Sequence, residues 1–468
     1  MKAIAVLTLA TGIGFGANAL ANEGALDLGF GVGGVARVGI TDADDGPSGC
    51  RPLVQPDRKI LICGTRLRDG ATGSDFLVAR FDVNGTLDPT FGNGGTVTID
   101  FDGGGGGDQA EGIALQADGR IIVAGTTHGA GLQSDDFAVT RLDADGALDQ
   151  SFANGGKATI AFDLADGVGN DDVHALAIEP SGTIVLAGSA ETTDGSVVAI
   201  ARLLGTGARD ASFNFTGKVT FGFALTQTGT ETDNAQGMAI DDKGRIVIAG
   251  TARASEPQDH AVFGVARLSS DGTLDTSFNG AGAATIAFDP GTGVSDAIAM
   301  GVAIQEDGDI VVSGYANTSP WATQNIDMAA ARLHSDGMLD ATFGSGGLLT
   351  IPFDLTVDGF DAAIDAIEQP DGYLFFVGTA LGDSTQYAIA ARVHHDGSPD
   401  LSFGVTGKNT YDLGFTTPGT QVFTGVALQG TQIVAGGIAF VPPLGSPQPL
   451  DCLVVRVASD SIYANGFE

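Results

Sequence analysis

RLDADGALDQSFANGG, residues 141–156, is the stretch from which the architecture follows. It ends an apolar strand, turns at Asp145-Gly146, passes Leu148-Asp149, plants Phe152 and opens another strand after Gly155-Gly156. Asp-Gly tolerates the positive φ that a tight turn demands, so the turn has a physical basis.

Working outward, versions of this stretch recur. The anchor phenylalanines are Phe30, Phe91, Phe152, Phe213, Phe278, Phe343 and Phe403, spaced by 61, 61, 61, 65, 65 and 60 residues. Three residues before each stands Asp27, Asp88, Asp149, Asp210, Asp275, Asp340 or Asp400. Eleven before six of them stands Arg80, Arg141, Arg202, Arg267, Arg332 or Arg392. A seventh, Arg456, precedes Tyr463 by seven, as though that turn had lost four residues. A drifting period near 60 marks a repeat protein, in which stacked units share one core. An arginine between units is costly unless paired, and a carboxylate eight residues on can return to it. Recurrence in every copy gives this pair a structural role.

Each copy reads as four short strands of period-two alternation. In one copy these are 111–116, 121–126, 137–142 and 157–163. The first pair is joined by Ala117-Asp118-Gly119-Arg120, a tight turn repeated in later copies. Small residues such as Ala124-Gly125-Thr126 suit a crowded zone near an axis. Four strands in each of seven units predict an all-β fold, a seven-bladed β-propeller with four antiparallel strands per blade. The chain opens with an anchor and a lone strand, 35–41, and ends with three strands lacking a fourth. The N-terminal strand is therefore expected to close the last blade and remove its edge.

Composition narrows the functional classes. Lys plus Arg number 22 against 57 Asp plus Glu, a net charge of −35. That repels a phosphate backbone, which excludes nucleic acid, and it disfavours anionic membrane surfaces. Glycine, 72 of 468 residues, is about twice its usual share of about 7%; with a strict period it reads as turns. Residues 1–21 read as a secretory signal, with Lys2, an apolar stretch and Ala19-Leu20-Ala21 as the cleavage site. No later segment spans a membrane. The expected organisation is a signal at 1–21, a propeller over 22–459 and a tail at 460–468. The expected location is the periplasm, the cell surface or the medium. Three cysteines, Cys50, Cys63 and Cys452, are too few for a disulfide framework, and Cys50 and Cys63 face each other badly in one hairpin.

The run GIALQADGRIIVAGT (112–126) followed by FAVTRLDADGALDQSFANGG (137–156) resembles the delta-60 repeat family of exported bacterial proteins. The strand order is similar to NHL-type propellers, whose first strand lines the channel. The resemblance covers nearly all of the mature chain and implies a propeller outside the cytoplasm. It carries no catalytic set. The first copy departs most, with Arg51-Pro52-Leu53 in place of Gly-Ile-Ala and Cys63 in place of Ala.

With the first strand innermost, tight Asp-Gly turns and anchors share one face. The variable links 66–74, 253–260, 316–327 and 440–450 share the other, where binding is expected. Just before the innermost strand come Asp108, Asp171, Asp233 and Asp361, with Asp296 one residue off register. They would form an acidic rim able to hold a divalent cation, Ca²⁺ by its preference for carboxylate oxygens. Asp82-x-Asn84-Gly85-x-x-Asp88 starts like a calcium loop but lacks the bidentate Glu, and reads as an Asx turn. His334 and His394 sit two residues after equivalent arginines without a third zinc ligand, so they read as surface residues. Tyr315 and Trp321, in or beside the long link 316–327, are candidate anchors for a partner. No nucleophile–base set is legible.

The expectation is a monomeric, non-enzymatic scaffold without cofactor that binds a protein or glycan through its irregular face. The alternative is a hydrolase or lyase with a divalent cation at the acidic channel mouth.

Overall fold

A computed structural model describes residues 23–40, 49–67, 73–101, 103, 106–128, 134–165, 169–223, 232–254, 260–288, 296–318, 325–356, 359–383, 385–413, 419–440 and 450–458. The expected signal at 1–21, Trp321, the expected tail at 460–468 and most of the variable links lie outside them. Among the described residues there is no helix, and none therefore long and apolar enough to cross a membrane.

Seven four-stranded antiparallel sheets follow one another around a ring. The second of them is typical: Asp108–Leu115, Ile121–Thr127, Asp136–Leu142 and Lys157–Ile160, in that spatial order. Its first turn is held by Gly119 N–H donating to the Gln116 carbonyl at 2.9 Å, with Gly119 at φ 87°. The two middle strands of a blade are buried on both faces because blades cover them on both sides; Ile121–Thr127 and Asp136–Leu142 are buried at every residue. All seven anchor phenylalanines are fully buried.

The innermost strands are Pro52–Val54, Asp108–Leu115, Asp171–Ile178, Asn234–Ile240, Ala297–Ile304, Asp361–Glu368 and Gln421–Gln429. Each touches the next, and Pro52–Val54 touches both Asp108–Leu115 and Gln421–Gln429, so the circle is closed. The last blade is Gln421–Gln429, Gln432–Phe440 and Leu450–Val457, completed by Val35–Ile40 from the start of the chain. Val35 stands opposite Val455 and Ile40 opposite Leu450. The closure predicted from the sequence is the one observed.

The closure is also covalent. Cys50, just before the first innermost strand, is disulfide-bonded to Cys452 in the last blade, with Cα atoms 5.6 Å apart. Gly64 makes room for the bond: a Cβ there would lie 2.8 Å from Cys452 Sγ and 3.2 Å from Cys50 Sγ. Cys63 is free and buried, and burial pushes its thiol up to about 12. The Cys50–Cys63 pairing, which hairpin geometry disfavours, is not made. The true partner could not be read from spacing, since it lies 402 positions away.

Candidate functional site

The repeated Arg, Asp and Phe are used up in joining blades. All seven arginines donate from Nε to their aspartate Oδ2 at 2.5–2.9 Å. Each guanidinium also stacks on its anchor ring, Cζ lying 4.6–5.2 Å from the centroid. Nη1 crosses to the following blade, as in Arg80 Nη1 donating to the Ala144 carbonyl at 2.6 Å, while Nη2 stays within the anchor, as in Arg80 Nη2 donating to the Thr90 hydroxyl at 3.2 Å. Arg392 meets Glu23 instead, because the N-terminal segment replaces a turn there. Arg456 was read as belonging to a degenerate turn toward Tyr463. It pairs with Asp27 instead, supplying the arginine that the first anchor lacks. These groups are structural.

The Asx reading also holds, for Asp82 Oδ1 accepts from the amides of Asn84 and Thr86, both at 2.9 Å. His334 and His394 are exposed. His334 lies against Asp309 and Asp340, the latter already bound by Arg332.

The rim aspartates mark blade junctions. Asp108 takes the Phe101 amide at 2.7 Å, Asp171 the Phe162 amide at 2.5 Å, Asp233 the Phe223 amide at 2.8 Å and Asp361 the Phe353 amide at 2.6 Å. Each thus ties the end of one blade to the start of the next. Asp296 is exposed and takes the Ala261 amide at 2.9 Å. Among the described residues, three or more candidate metal ligands gather at Asp75–Asp100–Asp108 and at Asp309–His334–Asp340. The five rim aspartates do not share one such cluster. Tyr315 is half-buried and packs edge-on against Phe360 of the next blade, centroids 5.2 Å apart, which makes it a blade contact.

The residues with ligand-binding geometry lie in the channel. Six innermost strands carry a β-bulge at the same place, at Glu111, His174, Gln236, Met300, Ile364 and Thr424. A bulge turns one extra side chain out of the ladder. Opposite it stands a glycine such as Gly125, where a Cβ would overlap the Gln109 carbonyl. The next position is small in most blades: Gly112, Ala175, Gly237, Gly301 and Gly425. Two blades depart, with Arg51 and Asp365. Together Arg51, Glu111, His174, Gln236 and Asp365 line a central cavity of about 190 Å³.

Their electrostatics are coupled. Burial pushes the Glu111 carboxyl up to about 7, with Arg51 opposing and Asp172 adding to the shift. Burial lowers His174 to about 4, and Arg51 adds to that. Burial raises Asp365 while Arg51 restrains the rise. Asp365 is fixed by the amides of Ala366 at 2.9 Å and Val426 at 3.0 Å. One cation, two carboxyls, a neutral imidazole and an amide therefore converge from five blades. The sequence reading missed this set, although Arg51 stood out in it. Aligning the copies one position at a time around the bulge would have exposed it.

Five segments, 55–91, 116–152, 179–213, 244–278 and 305–343, match the model of a family described as a beta-propeller domain of unknown function, DUF5122. Repeats of that propeller family are thus present in the chain. No curated protein matches the sequence. Solved structures of similar chain path include the polysaccharide lyase Uly1, 11% identical, covering 88% of this chain and 91% of its own, with a TM-score of 0.49. Virginiamycin B lyase from Staphylococcus aureus is 8% identical, with coverages of 90% and 99% and a TM-score of 0.42. Sqt1 of Chaetomium thermophilum is 11% identical, with coverages of 92% and 100% and a TM-score of 0.43. These likenesses concern chain path and not chemistry.

Proposed function

We propose that this propeller is an exported, non-enzymatic binding scaffold, whose glycan or protein partner docks on the variable face and places a polar tip in the channel. The observation that carries this is the cluster Arg51, Glu111, His174, Gln236 and Asp365. Everywhere else the copies repeat one grammar; here five blades contribute five different polar groups to one cavity. Sites on repeat scaffolds arise from such departures. The cavity has the volume of roughly six waters at about 30 Å³ each, enough for one sugar ring or one side chain. The Cys50–Cys452 disulfide supports export, because such bonds persist in oxidising compartments.

The test is a glycan and peptide array probed with the mature chain, with calorimetry on any hit. Arg51→Met and Gln236→Ala should each weaken a hit at least tenfold. A hit unaffected by both would remove the channel from the reading.

A second reading, a hydrolase or lyase, is favoured by one observation. Glu111 and His174 have proton affinities displaced toward neutrality and away from it respectively, which leaves a protonatable acid beside a neutral base in one cavity. Appearance of new reducing or unsaturated sugar ends, lost in Glu111→Gln, would put this reading first.

A further inference from the structure

Arg51 behaves unlike the arginines at the blade junctions. Each of those is ion-paired with its own aspartate. The Arg51 guanidinium makes no hydrogen bond and no ion pair with any described residue, although Glu111 and Asp365 line the same cavity. Asp365 is already engaged: Oδ1 accepts from the Ala366 amide and Oδ2 from the Val426 amide. Glu111, His174 and Gln236 also line the cavity, and no described residue hydrogen-bonds their side chains. Arg51 is half-buried, and a guanidinium withdrawn from water with its donors open is costly unless something from outside the fold meets it.

The backbone that carries Arg51 is nonetheless held firmly. Cys50 before it is bonded to Cys452. Pro52 after it has a locked φ and biases Arg51 toward extended backbone. Gly425, on the neighbouring innermost strand, leaves room for the stem: a Cβ there would lie 3.2 Å from Arg51 Cγ and 3.4 Å from its Cα. Gly436 does the same for Pro52, whose Cδ would lie 2.7 Å from such a Cβ. The departures of the first copy from the repeat thus gather around one residue. A donor fork fixed in place and left without an internal partner is preorganised for a ligand.

The chemistry of the cavity narrows that ligand. A guanidinium fork matches a planar carboxylate, two hydrogen bonds at a time. A phosphate monoester would bring more negative charge beside Asp365. A carboxylate by itself would satisfy Arg51 and leave Glu111, His174 and Gln236, on three other blades, without partners. A sugar ring carries hydroxyls around its edge and can meet all of them, whereas an acidic peptide side chain offers them nothing. The net charge of −35 repels a polymer charged at every residue, so a single acid on a neutral chain is favoured. We infer that the channel binds one uronic-acid residue capping an otherwise neutral glycan, with its carboxylate on Arg51 and its hydroxyls on Glu111, His174 and Gln236. This rests on the binding reading above and names its ligand. Glu111, holding its proton up to about 7, adds a donor to the site below that pH instead of a further negative charge.

The experiment is calorimetric titration of the mature chain with neutral oligosaccharides capped by glucuronate or galacturonate, with the methyl esters of both, and with a peptide ending in glutamate. At least one free acid should bind. Esterification keeps the ring and removes the charge, so it should weaken that binding by about thirtyfold or more. In Arg51→Met the acid should bind no better than its ester, and since the change breaks no internal pair, the melting temperature should hold. The comparison of acid with ester needs only the parent protein, so it stands even if the variant fails to fold. Acid and ester binding the parent equally, with both lost in Gln236→Ala, would overturn the carboxylate assignment and leave the channel reading intact. A peptide that binds as tightly as the capped sugar would overturn the sugar class. No heat with either acid would overturn the inference; the channel reading would then fall as well unless some other array hit depends on Arg51 and Gln236.

Discussion

Arg456 lays its guanidinium on the carboxylate of Asp27, 429 positions earlier in the chain, with Nε 2.8 Å from Oδ2. The same guanidinium stacks on Phe30 and donates to the Val83 carbonyl of the first blade at 2.9 Å. The seam between the chain's two ends is thus built from the same parts as every other junction. Its burial differs, however. Side-chain exposures are 12% and 27% for Arg456 and Asp27, against 2% and 3% for Arg332 and Asp340. Breaking a buried pair strands a charge and costs about 3–5 kcal/mol, and solvent reduces this where it reaches the pair. Arg332→Ala should therefore lower stability by about 3–5 kcal/mol and Arg456→Ala by about 2 kcal/mol. Denaturant midpoints would check the order; equal losses would mean that burial does not govern these pairs.

Gly64 and the Cys50–Cys452 bond compete for one volume. Gly64→Ala should cost about 1–3 kcal/mol through overpacking against two sulfur atoms. In a Cys50→Ser/Cys452→Ser background the penalty should shrink, because hydroxyls are smaller. A double-mutant cycle measures the coupling, and independent penalties would contradict the geometry.

Glu111 predicts a pH dependence. Its carboxyl titrates near 7 in the folded protein and near 4.5 when unfolded, so the native state holds the extra proton between those values. Stability from this group is therefore lost as pH rises from about 4.5 to 7. Glu111→Gln should remove that loss and raise stability by about 3 kcal/mol at pH 8, with little effect at pH 4. His174 runs the other way: its proton affinity is depressed from 6.5 to about 4, so its contribution is lost as pH falls through that window. Melting curves across pH for Glu111→Gln and His174→Gln should show opposite slopes. Matching slopes would refute the assignments.

Thr127→Ala should leave Asp108 without the hydroxyl it uses and cost about 1–2 kcal/mol. Denaturant midpoints of the variant and the parent measure that loss. An unchanged midpoint would mean that Asp108 does not depend on that hydroxyl.

The ring was legible because its causes are local and repeated. Asp-Gly turns, the buried phenylalanines and the Arg–Asp spacing each leave a fixed offset in the sequence, and the unpaired first strand showed where the circle closes. The channel set left no such trace. Glu111 reads as an ordinary strand residue until the bulge at Ala110/Gly112 places it outside the ladder, and His174 reads as one histidine among six. The Cys50–Cys452 bond was hidden for a related reason: only the closed ring brings those positions together.

Closure by Val35–Ile40 sets a schedule for making the protein. That strand is synthesised before any other in the propeller, yet its partner, Leu450–Val457, is synthesised last. At about 5–20 residues per second the early strand waits roughly 20–80 s. Until then the growing arc exposes an unpaired sheet at its leading end. A ribosome stalled before Leu450 would therefore release not a slightly shortened ring but an open one, with no strand to offer the segment that waits for it.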